Sequence, residues 1–201
     1  VGTEKIITVE NDKIIAKISS KGGRVKSVQL KGQTNFNGKP LVLFEGDHNR
    51  FGLKFNVGGE NINTNDLFFT SEDADVKVTG EDSKSIKLQL AYGADQYIEY
   101  VYTIKGNGYN LGLDINTKGI QNKIDQKTIA LDWETILLQK EQNIDSERQK
   151  STIYFKEAGN VDHLSEAKDE EKELKEKVEW IAFKQHYFSN ILSSKTGFST
   201  A

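Results

Sequence analysis

The chain has 201 residues, with 27 Lys and Arg against 30 Asp and Glu for a formal charge of −3, and it holds one Pro, no Cys and no Met. Mild acidity argues against a nucleic-acid binder, which needs a basic footprint to neutralise phosphates. No run of about 18 apolar residues is present to span a bilayer, and without Cys there are no disulfides, thiol nucleophiles or Cys-ligated zinc sites. The length suits a single domain over residues 1–201, because sandwiches and barrels of about 200–250 residues fold around one core. A chain without any Met is not a complete translation product, so Val1 is expected to follow a removed signal, an anchor or a neighbouring domain.

Strand signals dominate to about residue 157. Short strands are expected at residues 5–9, 13–18 and 24–30, with turns at Asn11-Asp12 and Lys21-Gly22-Gly23. Gly22 and Gly23 suit a tight hairpin, because glycine accepts positive φ and close backbone approach. Residues 41–44, 51–57, 67–69 and 76–78 follow as further short strands. The Asn- and Asp-rich stretches 61–66 and 72–75 read as loops, because they lack the glycine and terminal Glu of a calcium loop. Ile86, Leu88 and Leu90 alternate with polar residues, as do Leu111, Leu113 and Ile115. Between them Ile98, Tyr100, Tyr102 and Ile104 share one face, and the segment 85–116 reads as a three-strand antiparallel meander. Ile129, Leu131, Trp133, Thr135 and Leu137 repeat the period once more. Frequent strands with no strand–helix alternation indicate a mainly all-β antiparallel sandwich.

The composition then changes. The segment 165–179 is almost entirely Glu, Lys and Asp, with Glu171–Lys175 and Glu173–Lys177 at helical i, i+4 spacing, and reads as an exposed helix or a charged loop. The segment 180–192 is the most aromatic of the chain. Alternation of Val178, Trp180 and Ala182 favours a strand through Phe183, followed by a short helix. The polar tail 193–201 is expected to fray or to serve as a linker.

Candidate chemistry is sparse. His48, His163 and His186 share no ligand spacing, so no metal site is expected. Gly-x-Ser-x-Gly is absent, and Gly58-Gly59 and Gly106-Asn107-Gly108 read as turns rather than phosphate cradles. Trp133, Trp180, Tyr97, Tyr100, Tyr102 and Tyr109 could form a stacking platform for sugars, but core packing and cross-strand pairing account for such a set more simply. No catalytic residue and no cofactor is assigned.

Two segments carry a family resemblance. VENDKIIAKISSKGGRVKSVQL, residues 9–30, resembles the opening of the large periplasmic domain of YidC, the inner-membrane protein insertase of Gram-negative bacteria. EWIAFKQHYFSNIL, residues 179–192, is similar to the segment that closes that domain. The resemblance implies an antiparallel β-super-sandwich of the galactose-mutarotase-like kind, with one or two helices near the C-terminus. It implies a periplasmic location in a protein anchored in the inner membrane through segments outside this chain. It further implies a non-enzymatic accessory role in membrane protein insertion: a spacer, chaperone-like surface or docking surface for Sec translocon components of the SecD–SecF type and for nascent membrane proteins. Structural or interface roles fall on Trp180, Gln185, Tyr187 and Phe188, and on Gly22 and Gly23. The fold kinship also supplies a rival reading, a carbohydrate-binding or mutarotase-like protein with a peptide or sugar-like ligand in a cleft. His186-Tyr187-Phe188 and Asn49-Arg50 resemble elements of those enzymes. The enzymes carry their catalytic Glu downstream of the His, whereas no Asp or Glu follows His186 here, so catalysis is not expected.

Overall fold

A computed structural model describes residues 2–125 and 129–201. The chain divides into two compact units, one running to Thr34 and resuming over Pro40–Leu138, the other formed by Asn35–Lys39 and Gln139–Ala201.

The first unit begins with β1 (Ile6–Glu10), β2 (Ile14–Ser19), β3 (Val25–Thr34) and β4 (Pro40–Glu45). They pair as antiparallel neighbours, and β7 (Val76–Lys77) adds in parallel beside β1, giving the order β4-β3-β2-β1-β7. The β1–β2 turn is set by one buried side chain. Asn11 Oδ1 accepts from the amides of Lys13 and Ile14 at 2.8 and 2.7 Å, and its Nδ2 donates to the carbonyls of Lys105 and Gly108. A second sheet joins β5 (Arg50–Val57), β6 (Glu60–Asn63) and β11 (Ala130–Glu134) in the order β11-β5-β6. The meander forms the third, from β8 (Ser83–Gly93), β9 (Gln96–Lys105) and β10 (Leu111–Lys118), with β9 central between its two sequence neighbours. Ile98, Tyr100, Tyr102 and Ile104 all project from β9 into one apolar core, against Ile86 and Leu88 of β8 and Ile7, Val9, Ile14 and Ile18 of β1 and β2. Burial of this shared face is what makes the sheets a sandwich.

Local chemistry moved three expected boundaries. Residues 67–69 form no strand: a 3-10 turn over Thr64–Asp66 intervenes, capped by the Asn63 side chain, and Phe68 makes only an isolated bridge to Lys21. The stretch read as an Asn-rich loop contributes β6, whose register sets Asn61 opposite Asn56 and Asn63 opposite Lys54. The strand expected to reach Leu137 stops at Glu134, because Asn49 Oδ1 takes the Thr135 hydroxyl at 2.6 Å and the Ile136 amide at 3.0 Å.

The second unit holds one short helix, α1 (Ile144–Arg148), and a four-stranded sheet of β12 (Thr152–Glu157), β13 (Asn160–His163), β14 (Val178–Lys184) and β15 (Ser189–Phe198) in the order β13-β12-β14-β15. One face packs over a small core of Phe155, Leu174 and Val178, with Leu164, Ile181 and Phe198 around it. From 165 to 177 the charged segment is loop rather than helix; Leu174 anchors it in that core, and strand begins at Val178. Two expectations are corrected. No helix follows Phe183: β14 runs to Lys184, the chain turns through His186-Tyr187, and it returns as β15. The tail 193–201 is not frayed, since β15 continues through Phe198 and Ala201 exchanges backbone hydrogen bonds with Leu174 in both directions, at 2.6 and 3.0 Å.

Candidate functional site

The residues singled out near the C-terminus meet at the β14–β15 turn. The Gln185 amide donates to the Phe188 carbonyl at 2.7 Å, closing a two-residue turn that carries His186 and Tyr187. Gln185 points inward and is buried. Its Nε2 donates to Glu147 Oε1 at 2.8 Å, and its Oε1 accepts from Nζ of Lys140. Glu147 lies on α1 and also accepts from the backbone amides of Lys140 and Glu141, at 3.0 and 3.2 Å. A buried cation and a buried carboxylate are thus bridged by one primary amide, which presents an acceptor to the first and a donor to the second. Burial pushes the Lys140 amine down to about 8, against the pull of the Glu147 carboxylate.

Above this network sits a second, more accessible polar group. His186 Nδ1 lies 3.0 Å from Glu141 Oε1, and its Nε2 lies 2.9 Å from Nζ of Lys150. A lysine ammonium has no lone pair to offer, so Nε2 must accept, and the neutral ring donates from Nδ1 to the carboxylate. Tyr187 stacks on the imidazole with ring centroids 3.9 Å apart and is 70% exposed. Trp180 and Phe188 are half-buried rather than sealed in the core. Trp180 pairs with Lys156 and Ser193 across the sheet, on the face that also bears Val161, Ala182 and Ile191.

Gly22 and Gly23 belong to the first unit and do a different job. Both take positive φ, +79° and +63°. A Cβ on Gly23 would stand 3.0–3.1 Å from the rings of Tyr100 and Phe69. The Gly23 carbonyl accepts from the Tyr102 hydroxyl at 2.6 Å, and the Tyr100 hydroxyl lies 3.3 Å from Thr64 Oγ1. Burial pushes the Tyr100 phenol up to about 12 and raises that of Tyr102 further, so both remain neutral partners. Beside the hairpin, the buried Arg24 donates to the carbonyls of Lys21 and Asn65 and reaches Asp47 at 3.4 Å.

Lys140, Glu141, Glu147 and Lys150 were not reached by sequence reasoning. The one local signal is Asn143-Ile144-Asp145-Ser146-Glu147, a helix start with acidic residues in its first turn, whose Asn143 side chain caps Ser146 at 2.9 Å. Asn49, set beside mutarotase chemistry in the sequence, is a structural residue here: it is buried, and it ties the Glu45 carbonyl to Thr135 and Ile136. Tyr100 and Tyr102 are core residues, while Tyr109 is exposed. Among the described residues no three His, Asp or Glu side chains converge on a metal position, and no helix is long and apolar enough to cross a membrane. A shallow depression of about 280 Å³ lies on the β5–β6 hairpin, lined by Lys54, Phe55, Asn56, Asn61, Ile62 and Asn63.

These features define a mainly antiparallel, sandwich-like β protein. Its sequence matches the family model of the YidC periplasmic domain over residues 6–197, and the chain belongs to that family. It is 34% identical over 202 residues to the membrane protein insertase YidC of Parabacteroides distasonis, covering 98% of this chain and 31% of that protein. The insertases of the same name from Azobacteroides pseudotrichonymphae and Amoebophilus asiaticus are 30% and 32% identical, over 100% and 94% of this chain and 32% of each relative. The chain therefore spans about a third of the length of the curated relatives it matches.

Proposed function

We propose that this chain is a non-enzymatic accessory domain of a membrane protein insertase, held in the periplasm by a protein anchored in the inner membrane. It acts there as a single module, a spacer and an interaction surface for Sec translocon components of the SecD–SecF type and for nascent membrane proteins. The observation that carries this reading is the family match over residues 6–197. The β14–β15 end suits an interaction surface, because Tyr187 and Ile191 leave apolar area open beside a turn held rigid by the Lys140–Gln185–Glu147 network. Trp180 and Phe188 brace that turn, and Gly22 and Gly23 seat the β2–β3 hairpin on its sheet.

The full-length protein, expressed in cells depleted of their own insertase, tests this. A photo-crosslinking residue at Tyr187 or Ile191 is expected to yield adducts with SecD, SecF or a nascent membrane protein. Absence of adducts at both positions, together with full rescue by a variant lacking residues 6–197, sinks the reading.

The depression on the β5–β6 hairpin favours a second reading, non-catalytic carbohydrate binding. The amides of Asn56, Asn61 and Asn63 beside Lys54 offer the donors and acceptors that sugar hydroxyls take. His186 already engages Glu141 and Lys150, so its ring is not free for mutarotase-type proton transfer. Calorimetric titration with hexoses is expected to give heat that disappears in Asn61→Ala; a flat trace removes this reading.

A further inference from the structure

The four-stranded sheet of the second unit has two edges, and they are built differently. β13 is four residues long and carries Asp162, whose carboxylate holds Lys172 at 2.7 Å. Short length and charge are the usual protection of a sheet edge. β15 has ten residues, no Pro and a single charge, Lys195, and among the described residues it pairs with β14 alone.

The register fixes which of its backbone groups are open. Gln185 bonds Phe188 across the turn, and antiparallel pairs alternate between bonded and non-bonded. Phe183↔Asn190 and Ile181↔Leu192 are then the bonded pairs, while Lys184↔Ser189, Ala182↔Ile191 and Trp180↔Ser193 are not. The amides and carbonyls of Ser189, Ile191 and Ser193 therefore point away from β14. The side chains of the same three residues are exposed, Ile191 at 64%. Charge along this edge has one sign. No Asp or Glu occurs after Glu179, Lys195 sits on β15 itself, and the Lys177 side chain lies against Gly197.

We propose that β15 is a docking edge for an extended, apolar polypeptide segment carrying an acidic residue. The segment adds as a fifth strand: it exchanges main-chain hydrogen bonds with Ser189, Ile191 and Ser193, packs its alternate apolar side chains on Ile191, and sets its carboxylate near Lys195. The site and its ligand class stand on the sheet edge and do not depend on which translocon component, if any, the chain meets.

Fluorescence anisotropy on the purified chain tests the proposal, with a labelled six-residue peptide of alternating Thr and Val ending in Glu as the probe. Saturable binding is expected, weakened roughly tenfold or more by N-methylating alternate peptide residues, which removes the main-chain donors along one edge. Replacing the terminal Glu of the peptide by Lys is expected to weaken binding more at low salt than at high salt. Ile191→Pro removes an outward-facing amide that β14 does not use, and is expected to abolish binding while the far-ultraviolet dichroism is retained. The peptide modifications leave the protein untouched, so the proposal remains open to refutation even if that variant misfolds. Equal binding of the N-methylated peptide, no binding at millimolar concentration, or a sedimenting dimer abolished by Ile191→Pro would each overturn it, the last by giving the edge to a second copy of the chain.

Discussion

In the first unit, buried amides and hydroxyls close turns. Asn11 holds the β1–β2 turn, Asn49 ends β11, and Thr64 Oγ1 accepts the Leu53 amide, all around a core of Ile, Leu, Val, Phe and Tyr from several strands. In the second unit the clustered buried apolar residues are Phe155, Leu174 and Val178, with Ala182 buried besides. The buried polar residues there, Lys140, Glu147 and Gln185, are linked to one another through their side chains. The first arrangement resists perturbation through apolar area; the second depends on a mutual fit in which removing one member takes a buried hydrogen-bond partner from the others. The smaller unit is accordingly the one whose stability should respond to single polar changes and to pH.

The largest expected effect breaks the first unit at a contact with no slack. A Cβ on Gly106 would lie 2.1 Å from the Thr79 carbonyl carbon, and Gly106 also bonds Asp82 and Asp12 through its backbone. Gly106→Ala is expected to cost about 4 kcal/mol or more, visible in denaturant melts or as failure to accumulate folded protein. Next, Gln185→Leu should cost about 3 kcal/mol by removing the buried amide that bridges the Lys140 amine and the Glu147 carboxylate. Hydrogen exchange would locate the loss in β12, β14 and β15, with β8 and β9 still protected; a uniform loss would contradict the contrast between the units. Trp180→Ala and Phe188→Ala remove half-buried rings, so about 1–2 kcal/mol each is expected rather than the ~3–5 of a sealed aromatic. Unchanged thermal melts in both would end their assignment as braces.

The smallest effect tests charge. The folded-state value of Lys140 is lowered from 10.5 to about 8, so between these values the unfolded chain holds more protons than the folded one. This group's contribution to stability therefore rises with pH from about 8 and levels off above 10.5. Melts at pH 8 and pH 9.5, compared with Lys140→Leu, should differ in their pH dependence by on the order of 1 kcal/mol. An identical profile in the variant would show that Lys140 titrates as an exposed amine.

The meander was legible because β9 buries one face completely, so that Ile98, Tyr100, Tyr102 and Ile104 had to alternate with more exposed residues. Gly22-Gly23 was legible because positive φ leaves few other choices. β15 was not: Ser189, Ser193 and Lys195 face solvent, and an exposed edge with three serines carries the composition of a loop. The Lys140–Glu147–Gln185 network was illegible for another reason. Gln185 lies 45 residues from Lys140 and 38 from Glu147, so no local pattern marks their meeting. Gln185 itself was singled out through the family resemblance, but its partners were not.

The hydrogen bond from Tyr102 to the Gly23 carbonyl joins groups 79 residues apart. On a ribosome adding about 5–20 residues per second, the β2–β3 turn would emerge roughly 4–16 s before the ring that latches it. For that interval β1, β2 and β3 present an uncovered apolar face, and the order of synthesis, rather than the finished contacts, decides how long a chaperone has to shield it.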